Sequence, residues 1–308
     1  MNAPLHLLLV GGAGFASGAG FAGFAGFAGG AGGATAALIE ADVGHPQLSV
    51  LDVAATRGDG IFETLSIGRG YPQAFEAHLD RFARSARMLD LPAPNLALWR
   101  DAVLTLARRL ADHDEAWVKI VLTRGVEGQP QPTGWAYGTV SPDLRRERTE
   151  GIDVVLLDRG LRSDVSATSP WLLAGAKTLS YAVNRAAVRE AQRRGADDVV
   201  FVSSDGLLLE GPTSTLVVRR GNELATPPDA FGILPGTTQV DLFAAASPWG
   251  LRTAVLPLKP DDLASADAVW LVSSVRHAAP VRSIDGVARP IAAQLTAAMN
   301  SFLSARRL

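Results

Sequence analysis

Lysine is rare in this chain, and one of its few lysines lies in a segment suited to covalent chemistry. Of 29 lysines and arginines, only Lys119, Lys177 and Lys259 are lysines. A Schiff base needs a primary amine that can lose its proton, which arginine cannot supply. Lys177 follows small residues at the predicted start of an apolar-periodic helix, where the helix dipole lowers the pKa of a cation. The alternative interpretation is a surface lysine at a helix terminus.

Three other positions have side chains that complement such an amine. Residues 236–238 (Gly-Thr-Thr) are typical of a phosphate-binding helix N-terminus, although a simple N-cap has the same pattern. Glu210 ends a predicted strand, where a carboxylate is usually solvated. Tyr181 lies four residues after Lys177, on the same predicted helical face, unless it is a core tyrosine. Together they supply the amine, phosphate site, carboxylate and phenol that pyridoxal phosphate needs.

Two helices and two strands are predicted between residues 58 and 141. A Gly-Asp-Gly turn at residues 58–60 leads into an alternating strand in which Glu63 shares one side with Ile61, so this unusual glutamate is a candidate functional residue. Apolar spacing predicts a helix over residues 76–91 that ends before Pro92. The pattern further predicts a helix over 95–111, a buried strand over 115–124 in which Lys119 snorkels or pairs, and a loop over 125–133.

The charged segment 141–151 contains a proline and is predicted to be a linker. Beyond it, the pattern predicts strands over residues 153–157, 198–203, 207–210, 215–219 and 270–274, and helices over residues 180–194, 236–246 and 292–303.

Composition excludes several classes of protein. The chain has 308 residues, 47% of them hydrophobic, which is enough for two domains with a sizeable core. Its net charge of -2 gives no reason to expect nucleic acid or an anionic membrane as partner. The absence of cysteine excludes disulfides and cysteine nucleophiles, and the five histidines lack a metal-ligand spacing, so a metal enzyme is not expected.

The N-terminal segment 1–34 contains a Gly-Phe-Ala repeat over residues 11–34. The repeat lacks Leu and Ile and has no basic flank, so neither a membrane span nor a secretory signal is predicted, and the chain is expected to be cytoplasmic. Glycine-rich tracts lose much backbone entropy when they order. We therefore predict a flexible segment, either inserted after a short strand at residues 6–10 or lying outside the fold.

Five motifs occur in a fixed order along the chain. They are Gly-Asp-Gly-x-Phe-Glu-Thr (58–64), Glu-Ala-His-Leu-x-Arg-Phe (76–82), Ala-Lys-Thr-Leu-Ser-Tyr (176–181), Leu-Glu-Gly-Pro-Thr-Ser-Thr (209–215) and Leu-Pro-Gly-Thr-Thr (234–238). From about residue 48 onward the chain thereby resembles the class IV aminotransferases, the fold type IV pyridoxal-phosphate enzymes. The resemblance implies an α/β (α+β) fold with a small N-terminal domain (35–143), a larger β-barrel-like domain (144–308) and a homodimer that shares active-site residues.

The resemblance also implies a role for each site residue. Lys177 matches the Schiff-base lysine, Glu210 the carboxylate that keeps the pyridine nitrogen protonated, and Tyr181 the partner of the cofactor's phenolic oxygen. Although spacing alone places Arg81 on a solvated helix face, the phosphate-binding positions of the family match Arg81, Gly236, Thr237, Thr238 and Ser274.

Within the family, the chain looks most like an aminodeoxychorismate lyase, which eliminates pyruvate to give 4-aminobenzoate for folate synthesis. Some relatives grip the substrate carboxylate with an arginine in the loop after the third strand, and residues 125–130 contain none. Arg124 and Arg276 are the candidate substitutes. The alternative is an aminotransferase acting on a branched-chain or D-amino acid or an amine. A non-catalytic scaffold is disfavoured by the intact Lys177 and Glu210.

Overall fold

The computed structural model describes residues 5–10 and 38–307, and its first half is built on one antiparallel sheet. The elements in chain order are β1 (Leu5–Val10), β2 (Leu38–Ala41), α1 (Val53–Arg57), β3 (Gly60–Gly68), β4 (Tyr71–Pro72), α2 (Phe75–Met88), α3 (Leu96–Arg109), β5 (Ala116–Thr123) and β6 (Thr133–Val140). The strand order is β2-β1-β6-β5-β3-β4.

Alternation along β3 gives the first sheet two different faces. Ile61 and Leu65 point to the helices α2 and α3 and are fully buried in their shared core. Phe82 of α2 packs edge-on against Trp99 of α3 in this core, with ring centroids 5.1 Å apart. Because side chains alternate along a strand, the intervening residues of β3 face the other way, toward an open cavity. The predicted helices and strands of this half are confirmed to within a few residues.

The second half contains a larger mixed sheet. Its elements are α4 (Arg145–Thr149), β7 (Ile152–Asp158), α5 (Val165–Thr168), α6 (Ala182–Arg193), β8 (Asp198–Val202), β9 (Thr215–Arg220), β10 (Glu223–Thr226), α7 (Thr237–Ala244), β11 (Arg252–Val255), α8 (Pro260–Ala264), β12 (Ala268–Ser273), β13 (His277–Ile284), β14 (Val287–Ala288) and α9 (Ala293–Ala305). The strand order is β11-β10-β9-β12-β13-β7-β8, with β14 paired to β13, and the sheet curls into a half-barrel. The predicted α/β fold class is confirmed.

Several short strands (β2, β4, β10, β11 and β14) and two long ones, β6 and β13, were not predicted from the sequence pattern. The two long strands contain residues that weaken strand propensity. Gly134 and Gly138 interrupt β6, and Pro280 lies within β13. Conversely, residues 207–210 do not form the predicted strand, since Leu208 makes only an isolated bridge with Val202. The structure thus has more pairing around the site than the alternation of polar and apolar residues predicts.

The predicted linker 141–151 is partly helical and packed. It contains α4, in which Arg148 binds the Glu115 carboxylate of the first half at 2.6 and 2.8 Å. The same guanidinium donates to the carbonyl oxygens of Val275 and Arg276 in the second half. The segment therefore bridges the two sheets, and a domain boundary near residue 143 stays a prediction.

The Gly-Phe-Ala tract lies outside the described residues. Within the described ranges, no helix combines the length and the apolar character needed to cross a membrane.

Candidate active site

A cavity of about 1070 Å³ opens between the two sheets, and all of the predicted site residues except Glu63 and Arg124 line it. One wall is the face of the first sheet that points away from α2 and α3. Strand register places its side chains in two rows, which run across β3, β5 and β6. The rows are Phe62–Val121–Trp135 and Thr64–Lys119–Tyr137.

Lys177 lies in an extended segment that adds to the edge of β3. Its carbonyl oxygen accepts a hydrogen bond from the Phe62 N–H at 3.1 Å, and its Nζ lies 4.7 Å from the Phe62 ring centroid. Burial, reinforced by the nearby Arg81 charge, lowers the pKa of the Lys177 amine to about 8. The predicted direction of the shift is right, but the predicted cause is wrong, because α6 begins only at Ala182.

Tyr181 directly precedes α6, so it does not share a helical face with Lys177 as predicted. Its ring instead packs edge-on against Phe62, with centroids 5.3 Å apart, and this contact brings it into the same cavity wall. Burial and the neighbouring Glu210 carboxylate raise the pKa of the Tyr181 phenol well above its usual range. The phenol is therefore a stable hydrogen-bond donor at neutral pH.

Glu210 lies at the end of the cavity near Leu234, whose backbone N–H donates to its Oε1 at 3.1 Å. Burial raises the pKa of the Glu210 carboxyl to about 7, even though that hydrogen bond and the Lys177 charge favour ionisation. A carboxyl poised at this value can carry or release a proton at neutral pH.

The start of α7 presents hydroxyl groups and free amides to the cavity. Gly236 precedes the helix, and any side chain there would collide with Thr215. Thr237 and Thr238 occupy the first turn, whose N–H groups have no partner within the helix. The buried Thr238 Oγ1 has no hydrogen-bond partner among the described residues. An unsatisfied buried hydroxyl beside free amides fits an anionic ligand such as phosphate.

A cluster of buried charged and polar side chains lies next to this anion site. Glu63 is fully buried and accepts hydrogen bonds from Arg81 Nε at 2.6 Å and Nη2 at 2.8 Å, and from His78 Nδ1 at 2.7 Å. Burial opposes ionisation, yet Arg81 and His78 hold the pKa of Glu63 well below its usual range. Arg81 Nη1 also donates to the Pro235 carbonyl at 2.6 Å. The cluster explains the glutamate in the apolar row of β3 and corrects the solvated-face interpretation of Arg81.

His78 links this cluster to two hydroxyl groups. Its Nε2 lies 3.2 Å from Thr237 Oγ1 and 3.0 Å from Ser274 Oγ. Burial lowers the pKa of His78, although Glu63 opposes this shift, and the lowered pKa favours the neutral ring. Because ionised Glu63 can only accept, Nδ1 carries the proton and Nε2 has one lone pair for two hydroxyls. At least one hydroxyl proton is then available to an anionic oxygen. His78 was not among the residues predicted for the site, although it lies three residues before Arg81 on the same helix face.

The two predicted substrate arginines are both engaged elsewhere. Arg124 does not line the cavity, and its guanidinium binds Asp59 at 2.6 Å and the Leu89 carbonyl oxygen at 2.6 Å. Arg276 does line the cavity, but its Nη2 pairs with Asp198 at 2.7 Å. The structure therefore does not bring Arg124 to the site, and the charge of Arg276 is already matched.

The cavity is strongly cationic. Seven lysine and arginine side chains line its described part, and Glu210 is the one carboxylate there. Besides the candidate Schiff-base amine of Lys177, three of the cations have no carboxylate within 4 Å in the part of the chain that is described: Lys119, Arg159 and Arg185. Residues 5–10 and 38–307 also contain no cluster of potential metal ligands.

Comparison with known proteins agrees with this geometry. The sequence model of the family described as amino-transferase class IV matches residues 60–284. A bifunctional aminodeoxychorismate lyase / D-amino acid transaminase from Mycobacterium tuberculosis is 45% identical over 255 residues, or 79% of this chain and 88% of that protein. The solved fold IV transaminase of Curtobacterium pusillum is 47% identical, covers 98% of this chain and 100% of its own, and has a TM-score of 0.88.

A third relative bears on the cofactor. A hypothetical aminotransferase from M. tuberculosis, solved in a form described as PLP-bound, is 42% identical and has a TM-score of 0.83 over 87% of this chain and 96% of its own. The fold type and cofactor predicted from the sequence are thereby confirmed. This chain belongs to the class IV aminotransferase family and is a pyridoxal-phosphate-dependent enzyme.

Proposed function

We propose that the enzyme is a 4-amino-4-deoxychorismate lyase, which releases pyruvate and leaves 4-aminobenzoate. The observation that carries the proposal is the set of three unmatched cations, Lys119, Arg159 and Arg185, in the cavity. The substrate of this reaction has two carboxylates, whereas a simple amino acid has one. A cavity with several unmatched cations favours the more highly charged molecule.

The shape of the cavity supports the same choice. Phe62, Trp135 and Tyr137 form an aromatic wall beside Lys177, which suits a six-membered ring lying against it. A short aliphatic amino acid would leave much of that apolar surface in contact with water. The wall is therefore better matched to a cyclic substrate that becomes aromatic.

The described residues include binding groups for the phosphate, the phenolic oxygen and the ring nitrogen of the cofactor. The phosphate would be bound by Arg81, by Thr238 and by the two hydroxyl groups around His78, which belong to Thr237 and Ser274. Gly236 would allow the backbone to approach the phosphate. Tyr181 would donate a hydrogen bond to the phenolic oxygen of the cofactor, and Glu210 would share a proton with its ring nitrogen. When bound, pyridoxal phosphate supplies an aldehyde for the amine and a ring that accepts electrons.

Lys177 is the proton carrier of the proposed reaction. Its pKa of about 8 leaves a useful fraction of neutral amine at neutral pH. As a free amine, Nζ would accept the proton from the substrate carbon that bears the substrate amine. Loss of that proton would drive aromatisation as the bond between the ring carbon and the enol-ether oxygen breaks. The leaving enolate would then take up a proton to become pyruvate.

A D-amino acid aminotransferase is the second candidate. The M. tuberculosis relative is named for both reactions, and the C. pusillum relative is named as a transaminase. The same lysine, carboxylate and phenol serve a transaminase, so the choice depends on the substrate.

Two measurements on the cofactor-loaded enzyme separate the candidates. With enzymatically prepared 4-amino-4-deoxychorismate, we expect stoichiometric release of pyruvate and 4-aminobenzoate. With D-alanine alone, a transaminase converts its cofactor to the amine form within one turnover, which a loss of the visible absorbance reports, whereas a lyase does so slowly. Rapid conversion by D-alanine without 4-aminobenzoate production would overturn the lyase proposal.

We further propose that the enzyme works as a cytoplasmic homodimer. Trp171 and Leu172 expose 73% and 48% of their surface, and Leu172 lines the cavity. Apolar surface of this kind at a cavity mouth favours a protein contact. Light scattering at micromolar concentration should give twice the chain mass, and a monomer would contradict the proposal.

A further inference from the structure

A second cavity lies between the two halves of the protein, and its volume is about 600 Å³. The first half contributes the end of β3 and the start of β5, and the second half contributes the start of β13 and the C-terminal end of α9. The turn of residues 274–276 lies between the two cavities, because Val275 lines both of them. None of the residues assigned to the cofactor lines this second cavity, so the chemistry described above does not use it.

Arg306, directly after α9, has a buried guanidinium with an unused donor group. The residue lines the second cavity, and its side chain is only 9% exposed. Its Nε donates to the carbonyl oxygen of Leu303 at 3.1 Å, and its Nη1 pairs with the Asp241 carboxylate of α7. Nη2 is buried and has no hydrogen-bond partner among the described residues. Because a guanidinium does not lose its proton, both N–H groups of Nη2 are donors without an acceptor.

His277 contributes a second unsatisfied group from another part of the chain. It is the first residue of β13, is 3% exposed and lines the same cavity. Its buried Nδ1 also has no hydrogen-bond partner within residues 5–10 and 38–307. An unsatisfied buried polar group is costly, and native proteins contain few of them. Two such groups on residues that line one cavity therefore indicate a ligand that accepts hydrogen bonds.

The charges around the second cavity favour an anion. Both carboxylates among its described lining residues, Asp114 and Glu115, are already bound by arginine side chains. The pKa of His277 falls to about 3, because burial opposes the charged ring and the guanidiniums of Arg148 and Arg306 repel it. The imidazole is therefore neutral, and the electrostatic potential around it is positive.

We propose that the second cavity binds a small oxyanion, a phosphate or a carboxylate, which accepts hydrogen bonds from Arg306 Nη2 and His277 Nδ1. Both groups present several acceptor oxygens around one negative charge, and guanidinium groups recognise both. The anion satisfies the two buried donors and brings a negative charge into a positive region. The site is independent of the proposed reaction, since it uses no residue of the cofactor site.

Calorimetric titration of the cofactor-loaded enzyme tests this site. Inorganic phosphate and succinate are the two probes, which distinguish a phosphate site from a carboxylate site, and sodium chloride holds the ionic strength constant. Saturating cofactor keeps the probes out of the cofactor's own phosphate site.

Four variants are compared with the wild type. Arg306→Met and His277→Leu each remove one buried donor. His277→Asn keeps an amide N–H near the position of Nδ1, and asparagine tolerates the positive φ of 62° at this residue. Arg69→Met is the matched control, because it removes an exposed charge at the same cavity without removing a buried donor.

We expect the wild type to bind at least one probe with a Kd of about 1 mM or lower. Arg306→Met and His277→Leu should each raise this Kd roughly tenfold or more, whereas His277→Asn and Arg69→Met should stay within about threefold of the wild type. The bound anion should also raise the unfolding midpoint of the wild type but not that of Arg306→Met.

Three results would overturn the proposal. No binding to the wild type would mean that water alone satisfies the two buried groups. Unchanged affinity in both Arg306→Met and His277→Leu would place the anion elsewhere, such as in the cofactor cavity. An equal loss in Arg69→Met would indicate general attraction to positive charge. If Arg306→Met does not fold, because Asp241 loses its partner, the comparison of His277→Leu with His277→Asn decides the question.

Discussion

Replacing Glu63 with glutamine should destabilise the enzyme without cofactor (the empty enzyme) more than the enzyme with cofactor bound (the loaded enzyme). Glu63 is fully buried and accepts two hydrogen bonds from Arg81 and one from His78. Glutamine keeps the shape and one acceptor oxygen but removes the charge. Arg81, whose side chain is 8% exposed, is then left without its carboxylate in the empty enzyme.

The expected magnitude follows from this burial. Removing one partner of a buried ion pair costs roughly 3–5 kcal/mol, and we take the lower end, about 3 kcal/mol, because glutamine preserves the packing. For a chain of this size that is a fall of roughly 5–10 °C in the unfolding midpoint. In the loaded enzyme, the cofactor phosphate supplies a new negative charge for Arg81, so the loss should be roughly half as large.

Thermal unfolding of both forms, with and without saturating cofactor, measures this difference. The matched control is Glu127→Gln, which removes the carboxylate of an exposed pair with Arg57 and should cost under about 0.5 kcal/mol. If Glu63→Gln destabilises the empty and loaded enzymes equally, Arg81 does not contact the phosphate. If it costs no more than the control, the buried cluster does not stabilise the fold.

Four further predictions test the site. Lys177→Ala should abolish the visible cofactor absorbance and turnover, whereas Lys259→Ala should retain both; spectra and steady-state rates check this. The rate at which the empty enzyme captures cofactor should rise with pH through a midpoint near 8, as Lys177 loses its proton; stopped-flow absorbance would contradict this by showing a flat profile. Glu210→Gln should keep the cofactor but lower kcat roughly a hundredfold or more, since losing such an electrostatic contribution costs about 3 kcal/mol; an unchanged kcat with cofactor bound removes Glu210 from the mechanism. Thr238→Val should leave the unfolding midpoint of the empty enzyme unchanged or higher, because its buried hydroxyl has no described partner, yet raise the cofactor Kd roughly tenfold; a cofactor titration with unchanged affinity would show that this hydroxyl does not meet the phosphate.

Local patterns in the sequence predicted most of the long elements to within a few residues. They also selected Lys177, which lines the cavity, but they placed it at the start of a helix that begins only at Ala182. They gave the wrong reason for its low pKa, because burial depends on contacts with Phe62 and Arg81 that are distant in sequence. The same limit applies to Arg81, since helical spacing alone cannot reveal a partner such as Glu63 on a strand. The family motifs placed Arg81 in the site, but nothing in them indicates that the anion site depends on a buried carboxylate.

The weak strands show a different limit. Gly134 and Gly138 lower the intrinsic strand propensity of β6, yet its neighbours β1 and β5 supply hydrogen bonds on both sides. Pairing partners so distant in the chain are invisible to a local window. As a result, Trp135 and Tyr137, which complete the aromatic wall, had no predicted position before the structure placed them.

Arg81 joins the two halves of the protein, since it binds Glu63 of the first sheet and the Pro235 carbonyl oxygen before α7. A phosphate bound to Arg81 would therefore link the two halves of the protein. A cofactor concentration one thousand times its Kd would stabilise the folded, linked protein by about 4 kcal/mol. The supply of the vitamin-derived cofactor would then set the enzyme's lifetime in the cell as well as its activity. Enzyme molecules without cofactor would open more often between the two sheets and would be degraded first. The concentration of the enzyme in the cell would then follow the concentration of the cofactor.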